Sequence, residues 1–186
     1  MTAHRFVTLD GNAHRLELGA GAPRVVDFAT PRAKADWLDA SASLDALEPH
    51  IRELARGIVR GAVSKGDAMQ KLHRWVRDRI AYVRDPGGRE EFADSLTVAR
   101  SGQDDCDGKA RLLVALVRSL RDPTMRARIR PVFRGPDFVH VQAELEWPGS
   151  RGWVLAEVIV RGVELGEDPE NARGADGSIP MAGPRR

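Results

Sequence analysis

The one cysteine of the chain, Cys106, lies between Asp105 and Asp107 at the start of an apolar helical run. A thiol with the ordinary pKa of about 8.5 is mostly protonated at neutral pH, so a catalytic cysteine needs surroundings that favour the thiolate. Asp104 or Asp105 is a natural N-cap here, and a helix N-terminus stabilises negative charge and offers unpaired N–H groups to an oxyanion. The pattern predicts a nucleophilic thiol, and the alternative is a small buried hydrophobic residue.

Two residues further along the chain are candidates to activate that thiol. Apolar and polar residues alternate over 138–146, which puts His140 on the polar face of a predicted strand. Glu157 interrupts an otherwise apolar strand pattern over 153–160, and a buried carboxylate needs a partner. If Trp147 to Ser150 form a symmetric four-residue turn, His140 and Glu157 face one another across a hairpin. We therefore expect His140 to act as base and Glu157 to orient it; the alternatives are a solvent-facing histidine and a hydrated edge carboxylate.

The elements that must position these groups follow from hydrophobic periodicity. Asp10-Gly11-Asn12 separates two short strands as a hairpin turn, and residues 25–30 add a third strand. Helical spacing then predicts a helix over 44–62, a second one capped by Asp67, a helical turn over 95–98, and a helix from Cys106 that is apolar on most sides. The apolar stripes of the first two helices are Leu44, Leu47, Ile51, Leu54, Ile58 and Ala62, and Met69, Leu72, Val76 and Ile80. Three strands follow Pro123, so the order indicates an α+β domain in which helices precede an antiparallel sheet.

The length and composition favour one hydrophobic core with extensions. With 186 residues, of which 42% are hydrophobic, the chain has room for one ordinary domain. We expect a β-rich N-terminal extension over 1–42, a core over 43–162, and a flexible tail rich in Gly, Pro and Arg over 163–186.

Four segments resemble the transglutaminase-like superfamily, a papain-like thiol fold, over about residues 70–160. They are KLHRWVRDRIAYVRDP, DDCDGKARLLVALVRSL, HVQAEL and WVLAE. The resemblance implies a cysteine at the start of a central helix, set against a histidine and an acid on adjacent strands as a catalytic triad. It also implies an oxyanion site made by the Cys106 N–H and a side chain just upstream, for which Gln103 is the candidate, while Asp105 and Asp107 support the helix terminus.

The chain departs from the family pattern at three positions. Glu157 stands where Asp is usual, Gln142 where an aromatic residue is frequent, and Gly108 where an acidic residue is frequent. The longer Glu157 side chain would shift the imidazole unless the backbone adjusts. Gln142 would change the packing beside the site, and Gly108 would loosen the first helical turn.

The expected chemistry is acyl transfer from a carboxamide or peptide bond through a thioester on Cys106. If water is the acceptor, the protein is a cysteine peptidase or amidase, and if a lysine amine is, it cross-links proteins. The alternative from another class is a catalytically silent binding or structural module with the same fold. The expected partner is a protein or peptide substrate, and the oligomeric state stays open.

Composition argues against several other classes. The 29 basic and 27 acidic residues leave a net charge of +2 without a basic stripe, so we expect no nucleic-acid binding. No apolar run approaches the roughly 20 residues needed to cross a bilayer, and no secretory signal begins the chain, so the expected location is the cytoplasm. One cysteine excludes a disulfide framework and a multi-cysteine zinc site, and no calcium-loop spacing occurs, so we expect no metal or cofactor.

Overall fold

A computed structural model describes residues 4–8, 13–18, 24–28, 30–85, 92–134, 137–148, 152–167 and 169 of the chain. Strands β1 (His4–Thr8), β2 (Ala13–Leu18) and β3 (Arg24–Asp27) form an antiparallel sheet in the order β1-β2-β3. This confirms the predicted hairpin and third strand, while the predicted turn residues Asp10 to Asn12 lie outside the described residues.

Three helices follow, and they correct the prediction of one continuous helix over 44–62. Helix α1 spans Pro31–Asp45, α2 spans Pro49–Ile58 and α3 spans Lys65–Arg79. Pro49 begins a new helix because proline has no N–H and fits only the first turn. Leu44 and Leu47 lie near the break and are 70% and 61% exposed, so they are not part of a buried stripe. Helix α1 also continues across the expected boundary at residue 43 and contributes Ala35, Leu38 and Ala42 to the core.

The N-cap of helix α3 lies three residues earlier than predicted. Ser64, rather than Asp67, is the N-cap, because its hydroxyl accepts from the Asp67 N–H at 3.1 Å. Asp67 Oδ2 accepts in return from the Val63 N–H at 3.0 Å, much as in a capping box. The predicted stripe of Met69, Leu72, Val76 and Ile80 is buried, as expected.

The central helix is α5, which spans Cys106–Ser119 and is buried along nearly its whole length, as its composition predicted. Helix α4 (Ser95–Ser101) precedes it, where one helical turn was predicted. Strands β4 (Ala81–Tyr82) and β5 (Gln103–Asp104) form a short parallel pair just before α5. Helices α1 to α4 all pack on α5, and so do strands β6 and β7 of the second sheet, β6 being Ala127–Arg134 and β7 Asp137–Glu146.

This second sheet has the antiparallel order β6-β7-β8, where β8 is Trp153–Ala156. The result is a mixed helix and sheet fold. Helices close the outer side of β6: Asp39 Oδ1 of α1 accepts from the Ile129 N–H at 2.9 Å, and Arg118 Nη2 of α5 donates to the Ala127 carbonyl at 2.8 Å.

The chain after β8 differs from the prediction. The strand ends at Ala156, so Glu157 lies just beyond the ladder instead of inside a strand that runs to residue 160. Val163, the first residue of the expected tail, is 2% exposed, and its carbonyl accepts from Arg77 Nη1 at 2.6 Å. Glu164 pairs with both Arg74 and Arg77, so this part of the expected flexible tail is docked on α3. Residues 170–186 lie outside the described residues.

No helix in the described part of the chain has both the length and the apolar character needed to cross a bilayer.

Candidate active site

Cys106 is the first residue of α5, and Asp105 is its N-cap. The Asp105 carboxylate accepts from the N–H groups of Asp107 at 2.9 Å and Gly108 at 3.4 Å. The Cys106 N–H makes no hydrogen bond to any residue that the structure describes. The half-buried helix start therefore keeps one backbone donor beside the sulfur for another acceptor.

The thiol itself donates to Asp107 Oδ1 at 3.5 Å. Asp107 is buried, and its other oxygen lies 2.6 Å from Lys34 Nζ in a buried ion pair. Burial, followed by the Asp107 and Asp105 carboxylates, raises the pKa of the Cys106 thiol well above its ordinary value, although the Val141 N–H and Lys34 act in the other direction. Burial and the two carboxylates therefore act against the expected stabilisation of a thiolate by the helix N-terminus.

His140 and Glu157 are joined directly. His140 Nε2 lies 2.9 Å from Glu157 Oε2, and Glu157 is only 2% exposed. Glu157 Oε2 also accepts from Gln142 Nε2 at 2.9 Å, and Oε1 accepts from the Ile159 N–H at 2.7 Å. Burial acts to raise the pKa of Glu157, but the hydrogen bonds from His140, Ile159 and Gln142 outweigh it and hold that pKa below its ordinary value.

The protonation of the imidazole follows from this contact. An ionised carboxylate only accepts hydrogen bonds, so the Glu157 contact places a proton on His140 Nε2. In the neutral ring Nδ1 then carries no proton and can accept one.

The pairing of His140 with Glu157 arises from a register other than the predicted one. Residues 147–152 connect β7 to β8, and the ladder pairs Glu144 with Leu155 and Ala143 with Ala156. Continued by one residue, this register sets Gln142 opposite Glu157, and His140 reaches the carboxylate diagonally. The prediction of a four-residue turn is thus wrong, but the shift of two residues keeps both side chains on one face because strand side chains repeat every two residues.

Strand β7 also places Val141, the residue that follows His140, next to the thiol. The Val141 N–H lies against the Cys106 sulfur closely enough to lower the thiol pKa. Among the described residues, however, the hydrogen bond of the thiol goes to Asp107 and not to His140. The structure thus brings His140 and Glu157 into contact and places Cys106 beside the residue that follows His140.

His73 is a residue of this region for which the sequence analysis made no prediction. His73 is fully buried in α3, and its Nε2 lies 2.6 Å from the Glu157 carbonyl oxygen, to which it donates. Its Nδ1 has no hydrogen-bond partner among the described residues, and burial lowers its pKa. The available signal was its place on the apolar stripe of α3, four residues after Met69 and three before Val76.

Lys109 is a second buried group whose place the sequence did not reveal. It lies on the same face of α5 as Cys106, one turn later, and is fully buried. Its Nζ donates to the carbonyls of Ile80 and, at 3.3 Å, of Arg77, which end α3. Burial lowers the pKa of Lys109 to about 8. The ammonium group thus ties the C-terminus of α3 to the nucleophile helix.

Gly108 departs from the family pattern for a steric reason. A Cβ at this position would lie 2.2 Å from Asp104 Oδ2, because the Asp104 carboxyl group occupies that space while it accepts from the Asp105 N–H at 2.8 Å. Burial raises the pKa of Asp104 to about 7, and burial together with Asp107 and Asp104 raises that of Asp105 to about 8. The glycine therefore makes room for a carboxyl group.

Gln103 and Tyr82 lie on the short strands β5 and β4 just before α5. Gln103, the predicted oxyanion residue, is exposed on β5, and its side chain makes no hydrogen bond to a described residue. Tyr82 pairs with Asp104 across β4 and β5, and its pKa is raised by burial and by the nearby Cys106. The phenol of Tyr82 is therefore near enough to the thiol for the two groups to interact electrostatically, which the sequence alone did not indicate.

Metal binding at the helix start would have to compete with contacts already made. One potential ligand atom from each of Asp105, Cys106 and Asp107 lies within 4.8 Å of the others. Asp105 caps α5 and Asp107 pairs with Lys34, so both carboxylates serve the protein itself.

Comparison with known proteins gives a family and a similar fold. A family model described as the transglutaminase-like superfamily matches residues 52–158. No curated protein matches the sequence. A crystal structure described as a "putative protease" from Parabacteroides distasonis ATCC 8503 is similar, with a TM-score of 0.54 and 9% sequence identity, over 83% of this chain and 37% of that one. At that identity the likeness shows the fold alone, and the chain spans little more than a third of that structure's length.

Proposed function

The chain belongs to the transglutaminase-like superfamily, and from this membership we propose that it is a thiol-dependent acyl-transfer enzyme acting on carboxamide or peptide bonds. Cys106 is the nucleophile, His140 the base, and Glu157 the acid that orients the base. The observation that supports this assignment most is the hydrogen bond between His140 Nε2 and the buried Glu157 carboxylate. A buried carboxylate that fixes one tautomer of a histidine is the arrangement that general-base catalysis requires.

The first half of the reaction forms a thioester. His140 Nδ1 takes the thiol proton as the Cys106 sulfur attacks the carbonyl carbon, and the carbonyl oxygen becomes an oxyanion. The thiol donates a hydrogen bond to Asp107 and burial raises its pKa, so we propose that proton transfer accompanies the attack. The uncapped Cys106 N–H donates to the oxyanion. When the C–N bond breaks, His140 Nδ1–H delivers its proton to the leaving amine.

The second half releases the acyl group. We propose water as the acceptor: it loses a proton to His140 Nδ1, its oxygen attacks the thioester carbon, and the C–S bond breaks to restore the thiol. The similarity in fold to a structure described as a "putative protease" agrees with hydrolysis. A lysine amine in place of water would give a cross-link, and competition between water and an added amine measures the balance.

An activated ester tests the acylation step without knowledge of the natural substrate. We expect p-nitrophenyl acetate to give a burst of p-nitrophenol, with one acetyl group on Cys106 by mass spectrometry. The Cys106→Ala variant should lose the burst, and His140→Ala should slow it by about 10²- to 10⁴-fold. Turnover of internally quenched peptides in the presence and absence of a primary amine then distinguishes hydrolysis from cross-linking.

One observation favours the silent module as the second candidate. The thiol donates to Asp107, and burial raises its pKa, as expected for an inert cysteine. A silent module would be acetylated no faster than a small-molecule thiol of matched pKa, and equally fast in wild type and His140→Ala. That result would leave the fold assignment in place and remove the catalytic one.

A further inference from the structure

A groove of about 650 Å³ lies between helix α1 and strand β6. This volume is within the range of ligand sites. Its walls carry Arg32 and Asp36 from α1, Arg128 and Arg130 from β6, and Glu144 from β7. None of these groups takes part in the chemistry proposed above.

The register of the sheet connects this groove to the candidate active site. Arg128 pairs with Glu144, Arg130 with Gln142, and Val132 with His140. Side chains of directly opposed residues share a face, and residues two apart along a strand share it too. The two arginines therefore lie on the face of the sheet that carries His140.

The acids of the groove already have partners. Glu144 accepts from Arg128 Nε at 2.7 Å through one oxygen and from Arg130 Nη1 at 3.1 Å through the other. Asp36 accepts from Arg32 Nε at 3.0 Å. Asp39, which also lines the groove, accepts from Arg118 and from the Ile129 N–H.

Arg32 and Arg130, in contrast, have N–H donors that make no hydrogen bond to the described residues. A guanidinium group has five N–H donors. Arg32 uses only Nε and Arg130 only Nη1 toward the part of the chain that the structure describes. Their side chains are 76% and 51% exposed. The groove thus offers guanidinium donors for which a ligand must supply the acceptors.

The balance of charges at the groove indicates how many carboxylate groups a ligand should supply. The lining itself holds three guanidinium groups and three carboxylates, and Arg118, which pairs with the lining residue Asp39 from outside the groove, adds one positive charge. One carboxylate from a ligand would neutralise the groove, and planar carboxylates match the paired donors of arginine.

We propose that this groove binds one acidic side chain of an extended peptide substrate, about four residues from the scissile bond. The spacing follows from the strand, because Glu144 lies four residues from His140 and a strand rises about 3.3 Å per residue, roughly 13 Å in all. A bound extended peptide has a similar rise per residue. Its acidic residue therefore lies a similar number of residues, about four, from the scissile bond. This inference rests on the proposed function, since it assigns the substrate class of that site.

Binding to the full-length Cys106→Ala variant tests the groove apart from catalysis. The probes are labelled, end-capped alanine-serine peptides that carry a single Glu, Gln or Lys at each position in turn. Fluorescence anisotropy should show the best-placed Glu peptide binding roughly tenfold tighter than its Gln counterpart, with a difference that shrinks at high salt. Arg130→Gln should reduce this preference to within about twofold, and Arg130→Glu should make the Lys peptide the tighter ligand.

Matched controls keep the result interpretable. Arg60→Gln removes the same charge from an exposed position after α2 and should retain the full Glu preference. Arg32→Gln should weaken the preference from the opposite wall, and thermal melting verifies that each variant is folded. Equal affinity for the Glu and Gln peptides at all positions would overturn the proposal, as would a full Glu preference in both Arg130→Gln and Arg32→Gln.

The two proposals fail in different ways. One outcome is that Glu peptides bind more tightly but p-nitrophenyl acetate does not acetylate the wild-type thiol. This outcome supports an acid-binding groove on a catalytically silent module, and it overturns the groove's role in selecting a substrate. Acetylation without a Glu preference retains the enzyme and overturns the groove.

Discussion

Replacing Glu157 by Gln tests the reasoning about the imidazole most directly. The exchange keeps the side-chain volume, and the remaining oxygen can still accept from the Ile159 N–H. An NH₂ group in place of Oε2, however, would face the two donors that Oε2 accepts, His140 Nε2 and Gln142 Nε2. Gln142 can rotate its amide, and His140 can meet the new donor only by moving its own proton to Nδ1.

The expected cost has two parts. Hydrogen bonds to a charged acceptor are replaced by neutral ones, so we expect a loss of about 1–3 kcal/mol in the free energy of unfolding. A proton on Nδ1 prevents the ring from accepting the thiol proton, so the rate constant of acetylation should fall by about 10²- to 10⁴-fold. The loss of rate is therefore far larger than the loss of folded protein explains.

Stopped-flow measurement of the p-nitrophenol burst, with urea denaturation of the same samples, separates the two effects. Glu146→Gln is the matched control because Glu146 is also a carboxylate of β7 but pairs with Arg126 and lines neither the groove nor the candidate active site. Its acetylation rate should stay within about twofold of wild type. A folded Glu157→Gln variant that is acetylated as fast as Glu146→Gln would refute the proposed role of Glu157.

Three further outcomes are expected. Asp107→Asn removes one of the carboxylates that raise the thiol pKa, so iodoacetamide should alkylate Cys106 several-fold faster at pH 8; an unchanged pH profile of alkylation would contradict this electrostatic argument. Asp104→Asn should gain stability relative to wild type as the pH rises from about 4 to 7, by up to about 1.4 kcal/mol per unit, and the difference should level off above pH 7. The reason is that the carboxyl group ionises near its ordinary pKa in the unfolded chain but only near the raised pKa, about 7, in the folded protein; urea denaturation across pH would show a flat difference if the carboxyl group were hydrated. Gly108→Ala should lower the free energy of unfolding by about 1–3 kcal/mol despite the higher helix propensity of alanine, because the new Cβ meets the Asp104 carboxyl group. If this clash is the cause, adding Asp104→Ala should restore stability.

The sequence predicted those parts of the fold that depend on local chemistry. The cap at Asp105, the buried stripe of α3 and the nearly enclosed α5 each follow from residue types within one or two helical turns. The reasoning that a carboxylate in an apolar strand pattern needs a partner also led to the contact between Glu157 and His140. A short-range pattern sufficed because the desolvation cost of a carboxylate is large wherever it is buried.

Features that depend on distant residues were not predictable in this way. The register between β7 and β8 depends on the length of the connection, which composition alone did not fix. The raised pKa of the Cys106 thiol depends on Asp107 being buried beside Lys34 of α1, a helix that the sequence pattern did not show. His73 lies on an apolar stripe, but only the fold shows that Glu157 supplies the carbonyl oxygen above it.

The contacts of Asp39 and Arg118 with the outer strand have a consequence for any shortened version of the protein. The family match begins at residue 52, so a fragment cut there would lack α1 and with it the Asp39 carboxylate that accepts from the Ile129 N–H. The backbone of β6 would then be open to pairing with the same strand of another molecule, which is a common route to aggregation. Insolubility of such a fragment would reflect an unprotected sheet border and would say nothing about whether the intact chain is well folded.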